Sequence, residues 1–216
     1  IEGIDLSDVK LDQIQEITKR LKVNERVDFI IEQMNLFGQD GEFRKALGFC
    51  VSVEHAEYMT EKFNEAGIVS ACLTGKNTPE ERQSVIKQLE SDEDPLEMIF
   101  TVDIFNEGVD IPAINLVLML RPTQSPIIFI QQLGRGLRKQ ENKEFLTVLD
   151  FIGNHSKSFL TAIALNGDRF YDKDSLKVAV STGFSDIPGE SFIILDTISK
   201  EQILRQLDTE NFNSMT

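Results

Sequence analysis

The sequence predicts an α/β fold in which helices cover both faces of a parallel sheet. Five short apolar runs, at 46–51, 68–73, 96–102, 114–120 and 145–151, alternate with segments of helical periodicity. Continuous apolar runs of this length are typical of strands that are buried on both faces. Strands that alternate with helices are in turn typical of parallel sheets.

Start and stop signals for helices stand between the first three runs. Ser52 can cap a helix after the first run, and Gly67 can end that helix. After the second run, Thr78 and Glu81 have the spacing of a capping box, with Pro79 at the first helical position. The sequence therefore predicts the helical crossovers that parallel strands require.

Residues 1–45 are predicted to form N-terminal helices that lead into the main domain. Their apolar residues recur with helical spacing, and Asn24 is placed to cap a second helix. We therefore expect two helices before the first strand.

Residues 168–216 are predicted to form a small α+β extension of the main domain, which spans 46–167. Asp174 can cap a short helix, residues 192–196 have the composition of a strand, and Ser199 can cap a terminal helix.

The composition predicts one globular core and argues against several function classes. The chain has 216 residues, of which 41% are apolar, and a net charge of −14 argues against nucleic-acid binding by bulk attraction. No membrane span or secretory signal is recognised, so we expect a cytoplasmic location. Cys50 and Cys72 stand in apolar runs and are expected to be buried, reduced thiols. With only two histidines, no metal centre is expected.

Functional side chains follow four successive strands of the predicted sheet. Ser52 follows the first strand, Thr74 and Gly75 follow the second, Thr101 opens a polar segment after the third, and the arginine-bearing segment 131–139 comes after the fourth. Open parallel sheets bind ligands beyond the carboxyl ends of their strands. We therefore expect these residues to meet at one edge of the sheet.

The segment QQLGRGLRK, residues 131–139, predicts a helix that presents two arginines. Gln131, Gly134, Arg135 and Arg138 have the spacing that places them on one helical face. A guanidinium on a rigid element suits a phosphate, because its planar fork donates two hydrogen bonds to an oxyanion.

The surroundings of this helix leave two interpretations open. Ser125 and Pro126 are placed to start it, and no Asp or Glu occurs from Ile111 to Gln140. An acidic protein with a carboxylate-free basic stretch can be built to receive an anion there. The alternative is that the stretch is buried strand and helix, where charges are scarce in any case.

Four segments in the right order resemble superfamily II helicases. TVDIFNEGVDIP (101–112) and QQLGRGLRK (131–139) resemble motifs V and VI, GFCVSVEHA (48–56) the motif IV region, and LTGKNTPEER (73–82) the element between them. The resemblance covers about residues 46–165. It implies the second, C-terminal RecA-like lobe of a DEAD/DEAH-type helicase, similar to bacterial enzymes of which many carry an upstream phospholipase-D-like nuclease domain.

The resemblance implies a role for five residues at the nucleotide. Arg138 and Arg135 would be arginine fingers that reach the γ-phosphate of an ATP bound on the other lobe, and Gln131 would hold that phosphate or the attacking water. Gly108 would let the backbone approach the nucleotide. Asp110 would accept a hydrogen bond from the ribose or orient an arginine finger. For the arginines, structural ion pairs are the alternative.

The resemblance also implies contacts with a nucleic-acid backbone. Thr101 would bond a backbone phosphate, and Ser52, Thr74 and Gly75 are weaker candidates for the same strand. The alternatives are a strand-end role for Thr101 and helix capping alone for Ser52. For Arg82, a local ion pair or support of the turn at Gly75 is expected.

The chain lacks a phosphate-binding loop of the GxxxxGK[ST] type and an acidic box of the DEAD type. ATP and Mg²⁺ would therefore be bound mainly by a first lobe, and the chain alone is expected to be inactive. Its expected partners are DNA, with RNA as the alternative, and an N-terminal RecA-like lobe. Two other functions stay open: a non-catalytic scaffold lobe, and a self-contained α/β enzyme that binds a nucleotide or methyl donor.

Overall fold

The computed structural model describes residues 11–102, 111–121, 143–151, 162–163, 172–184 and 193–209, with side chains from residue 24 onward. The chain divides into two compact units, residues 1–38 and 39–216, which are described separately. No helix among these described residues is both long and apolar enough to cross a membrane.

The first unit contains one long helix, α1, which spans Leu11–Phe37. The expectation of two helices separated at Asn24 is wrong, because the helix continues through this exposed residue. An asparagine inside a helix costs well under ~1 kcal/mol, and no glycine or proline interrupts the segment. Val27, Ile30 and Met34 share a buried face.

The second unit is built around a five-stranded parallel sheet, as predicted. The strands are four residues each and lie inside the five apolar runs: β1 Ala46–Phe49, β2 Ser70–Leu73, β3 Met98–Thr101, β4 Leu116–Met119 and β5 Thr147–Asp150. Their order across the sheet is β2-β3-β1-β4-β5, and all four neighbouring pairs are parallel. β1 is therefore central.

The five strands end at the same level. The last residues of neighbouring strands are paired in register, which aligns Leu73, Thr101, Phe49, Met119 and Asp150. The segments that follow the strands therefore all leave the sheet at one edge, which we call the carboxyl edge. This confirms that the first three polar loops start side by side.

Two described helices lie between the strands, and both begin where the sequence indicates. α2, Val53–Glu65, is capped by Ser52. α3, Pro79–Glu90, begins with a capping box between Thr78 and Glu81. These local signals hold because a capping side chain and the N–H it binds are only three residues apart.

The two helices cover opposite faces of the sheet. On one face, Leu89 of α3 belongs to a buried cluster with Leu47 and Ile99. On the other face, the ring of Phe63 from α2 packs edge-on against Phe100, with ring centroids 4.8 Å apart and planes at 80°. Successive strand residues point to opposite faces, so Ile99 and Phe100 anchor one helix each.

The central strand carries a glycine where the Phe100 ring lies. A Cβ atom added to Gly48 would be 2.4 Å from the Phe100 ring. Both residues are paired directly in the ladder. Only glycine therefore leaves room for this ring between β1 and α2.

Asn115 organises the opposite, amino edge of the sheet. Its side-chain oxygen accepts from the Lys45 N–H at 2.9 Å, and its Nδ2 donates to the carbonyl of Phe43 at 2.8 Å. These bonds tie the start of β1 to the start of β4.

The C-terminal extension contains α4, Lys173–Thr182, and α5, Thr197–Thr209. Both predicted caps are wrong by two or three residues. Asp172, not Asp174, caps α4 by accepting from the Ser175 N–H at 2.9 Å. At the start of α5, Asp196 accepts from the Ser199 N–H at 3.0 Å, so the serine is a donor and not the cap.

The strand predicted at 192–196 is not found in its described part, residues 193–196. Ile193 and Leu195 pack against the core formed by α4 and α5, whereas Ile194 is 77% exposed. The alternation that suggested a strand is thus explained, in the part of the chain that the structure describes, by packing against helices.

We expect Gly48→Ala to destabilise the protein by about 1–3 kcal/mol, because the new methyl group must displace the Phe100 ring. Gly75→Ala is the matched control, since a Cβ there meets nothing within 4 Å and its change should stay within about 0.5 kcal/mol. Urea unfolding of the two variants measures the difference. Equal stability of both variants would contradict the packing described.

Candidate nucleic-acid interface

The structure brings four of the predicted site residues to the carboxyl edge. Thr101 ends β3, Ser52 follows β1, and Thr74 and Gly75 follow β2. Gln131, Arg135, Arg138, Gly108 and Asp110 lie outside the described residues, as do Ser125 and Pro126.

Thr101 is fully buried at the end of β3. Its exposed fraction is 0%, and its carbonyl accepts from the Cys50 N–H at 2.8 Å. Its hydroxyl Oγ1 has no hydrogen-bond partner among the described residues. A contact between this hydroxyl and a phosphate therefore requires a rearrangement that exposes it.

A tight turn follows β2. The Thr74 N–H donates to Oδ1 of Asn77 at 2.8 Å, and the Asn77 N–H donates back to the Thr74 carbonyl at 3.1 Å. The Thr74 hydroxyl accepts from the Lys76 N–H at 3.3 Å. Thr74 is thus engaged within the turn, whereas Gly75 is exposed and has open space around it.

Arg82 of α3 supports this turn, which is one of its two predicted roles. Its Nη2 donates to the carbonyls of Thr74 at 3.5 Å and of Gly75 at 3.3 Å. Among the described residues, its buried Nε has no hydrogen-bond partner and no carboxylate forms an ion pair with it. Within that part of the chain, Arg82 therefore binds backbone carbonyls and not a carboxylate.

Ser52 acts as a helix cap. Its hydroxyl oxygen accepts from the His55 N–H at 3.2 Å. The pKa of the exposed Glu54 carboxyl is lowered by its own N–H, by the Ser52 hydroxyl and by the charge of Lys76 from the neighbouring turn. The capping role is confirmed, and a contact between Ser52 and a nucleic acid stays a prediction.

Cys50 is a free, buried thiol between these loops. Burial raises its pKa to about 12, with a further contribution from Cys72 and a partial offset from Arg121. The Arg121 guanidinium also lies 6.0 Å from the centroid of the Phe49 ring. Cys72 is free but only partly buried, and burial raises its pKa as well.

Asn77 is the residue of this edge that the sequence analysis missed. It accepts the Thr74 N–H and closes the turn. The sequence did contain an indication of this turn, because an asparagine in a short polar segment near a glycine commonly bonds the nearby backbone through its side chain.

A family model for the helicase conserved C-terminal domain matches residues 25–140, more than half of the chain. The chain belongs to this family. Its RecA-like fold, a parallel sheet flanked by helices, is the one that the motif resemblance implied. An upstream nuclease domain and a bacterial origin stay predictions.

Relatives of this helicase C-terminal domain are larger proteins. The predicted ATP-dependent helicase IRC3 of Saccharomyces cerevisiae is 31% identical over 172 residues, which are 78% of this chain and 25% of that protein. The predicted mitochondrial ATP-dependent helicase irc3 of Schizosaccharomyces pombe is 32% identical over 140 residues, 62% of this chain and 23% of that protein. The chain thus spans about a quarter of the length of these relatives.

A solved structure shares the fold of the domain. The fragment structure of a predicted HsdR subunit of a type I restriction enzyme from Vibrio vulnificus YJ016 has a TM-score of 0.54 at 22% identity. The match covers 70% of this chain and 31% of that one.

Thr101→Val should leave the fold as stable as the wild type or slightly more stable. The substitution replaces a buried hydroxyl without a described partner by a methyl group of similar shape, and such a change is close to neutral. Thr74→Val is the comparison, because it removes an acceptor that the turn uses and should cost about 1 kcal/mol. Urea unfolding checks both; a clear loss of stability for Thr101→Val would contradict the absence of a partner.

Cys50 should resist alkylation by iodoacetamide in the folded protein at pH 8. With a pKa of about 12, only roughly one thiol in ten thousand is the reactive thiolate at that pH. Mass spectrometry of labelled protein, with and without denaturant, measures the protection. Equal labelling rates in the folded and unfolded states would contradict it.

Proposed function

We propose that this chain is the second motor lobe of an ATP-dependent helicase or translocase that acts on nucleic acid. Family membership carries the proposal, together with the position of the candidate contact residues at one edge of the sheet. In the complete protein, this lobe would close on an N-terminal RecA-like lobe around ATP.

The carboxyl edge is the proposed nucleic-acid contact surface. Gly75 is exposed there, Ser52 lies at the neighbouring loop, and Thr101 lies beneath them at the end of β3. Contacts of this kind reach phosphates and position a strand without reading its sequence. Because the chain carries a net charge of −14, the electrostatic attraction between the protein and a nucleic acid must be local to this edge.

DNA is the polymer we propose, with RNA as the second choice. The preference rests on the likeness of the motifs to bacterial DNA helicases. Phosphate contacts are common to both polymers, so binding assays need matched DNA and RNA strands of one sequence.

The nucleotide contacts are proposed for the motif residues of the arginine segment and of the segment that follows β3. Arg138 and Arg135 would stabilise negative charge that develops on the γ-phosphate, and Gln131 would hold that phosphate or the attacking water. Gly108 and Asp110 would approach the nucleotide from the segment after β3. ATP and Mg²⁺ would be held mainly by the first lobe, since this chain has no phosphate-binding loop.

Arg138→Ala in the full-length protein should lower the ATPase rate by roughly 10³-fold or more, the loss typical of an arginine finger. ATP affinity should change little, because the finger acts mainly on charge that develops in the transition state. Steady-state ATPase assays and a nucleotide-binding titration measure the two effects.

Arg205→Ala is the matched control for this substitution. Arg205 lies on α5 with its side chain 80% exposed, and it pairs with Glu201 of the same helix at 3.3 Å. Its removal should leave the ATPase rate unchanged. Full turnover by Arg138→Ala would exclude the proposed finger.

A further inference from the structure

β2 is the outermost strand at one end of the sheet, and β3 is its one neighbour among the described strands. The other side of β2, which we call the open side, presents main-chain groups with which a strand of another molecule could pair. The Met98 N–H of β3 donates to the Val69 carbonyl at 3.2 Å, and successive residues of a strand bond to alternate sides. The main-chain groups of Ser70 and Cys72 therefore face the open side.

The side chain of Asn64 covers the open side at Ser70. Its Oδ1 accepts from the Ser70 N–H at 2.9 Å, and its Nδ2 donates to the Ser70 carbonyl at 3.0 Å. A neighbouring strand would use these same two groups, because a residue that faces its neighbour bonds it through both its N–H and its carbonyl. The Asn64 carboxamide therefore takes the place of a strand.

The helix α2 holds the Asn64 carboxamide in this position. Nδ2 also donates to the carbonyl of Thr60, one helical turn earlier, at 2.8 Å. The preceding residue, Phe63, is fully buried and packs on the Phe100 ring. Its carbonyl accepts from the Ile68 N–H at 2.9 Å, which fixes the short connection from α2 to β2. The contact between Asn64 and Ser70 is thus anchored in the core.

The residues of β2 do not protect its open side by themselves. Edge strands commonly avoid pairing with one another through charged residues or prolines, and β2, Ser-Ala-Cys-Leu, has neither. Val69, directly before the strand, is 39% exposed. Asn64 is also exposed, and asparagine is a poorer helix former than alanine. Helix stability therefore does not explain the asparagine, whereas its contact with β2 does.

The open side of β2 is complementary to the same side of a second copy of this chain. A twofold axis beside Ala71 would place two copies of β2 antiparallel, with Ser70 of each copy opposite Cys72 of the other. Both of these residues face the open side, so each strand would offer the N–H and carbonyl groups that the other needs. A second copy is therefore the partner that this side would accept if Asn64 did not cover it.

We propose that Asn64 prevents two copies of this chain from pairing through β2, because its carboxamide occupies the Ser70 N–H and carbonyl that the pairing would need. The role concerns assembly, and it is independent of the nucleic-acid contacts of the proposed function.

Asn64→Ala in the full-length protein should raise the self-association constant at least roughly tenfold, because neither copy has to release two hydrogen bonds before the strands pair. The helix should persist, since alanine is the better helix former. Sedimentation velocity over a series of protein concentrations measures the association. A buffer of about 0.5 M salt screens the repulsion between copies that each carry a net charge of −14.

Gln83→Ala is the matched control, because it removes an exposed carboxamide from α3 that bonds to no described residue. It should sediment like the wild type. Adding Ser70→Pro to Asn64→Ala should restore the wild-type behaviour, because proline removes the N–H of the open side without removing a bond to β3.

Asn64→Ser is a second test of the same contact, since the shorter side chain cannot bond both groups of Ser70, and it should associate like Asn64→Ala. Urea unfolding of every variant gives its folded fraction, so that aggregation of unfolded chains is not mistaken for pairing of folded ones. Slower amide exchange at Ser70 and Cys72 in the associated species would identify β2 as the contact.

Two results would overturn the inference. The first is wild-type sedimentation of folded Asn64→Ala and Asn64→Ser at every concentration. The second is an association that persists unchanged after Ser70→Pro is added, or that leaves amide exchange in residues 70–72 unaltered.

Discussion

The ring of Phe100 lies against Gly48 in the central strand, and the position of the carboxyl edge depends on that fit. The ring fills the space that a side chain on Gly48 would need, and α2 packs on it through Phe63. The direct pairing of Gly48 with Phe100 places Phe49 beside Thr101. The loops that leave β1 and β3 therefore start at one level of the sheet.

An acidic lobe can contact a polyanion only where its charge is organised locally. The turn after β2 has this property, because Arg82 donates to two of its carbonyls and no described carboxylate pairs with this arginine. Its Gly75 is open to solvent. Glu54 lies in the first turn of the neighbouring helix α2, and its carboxylate accepts a hydrogen bond from the Ser52 hydroxyl. Among the described residues, the charge is thus less negative at the turn after β2 than at the loop after β1.

Most of the fold could be predicted, because apolar runs and helix caps are determined by residues that are close in the sequence. The capping box between Thr78 and Glu81 is an example. Features that depend on contacts between distant residues could not be predicted. The continuation of α1 through Asn24 and the packing of residues 193–196 against helices depend on tertiary context. At the site, the sequence left two roles open for Arg82 and gave no sign that the Thr101 hydroxyl is buried, since both depend on which loops meet at the edge.

Amide hydrogen exchange of the full-length protein, with and without a saturating single-stranded oligonucleotide, tests the contact surface most directly. The account predicts slower exchange on binding in residues 50–55, which follow β1, and in residues 73–77, which are the last residue of β2 and the turn after it. Exchange in 40–45 at the amino edge, and in α5, should stay unchanged. Protection confined to 40–45 or α5, with none at 73–77, would contradict the account.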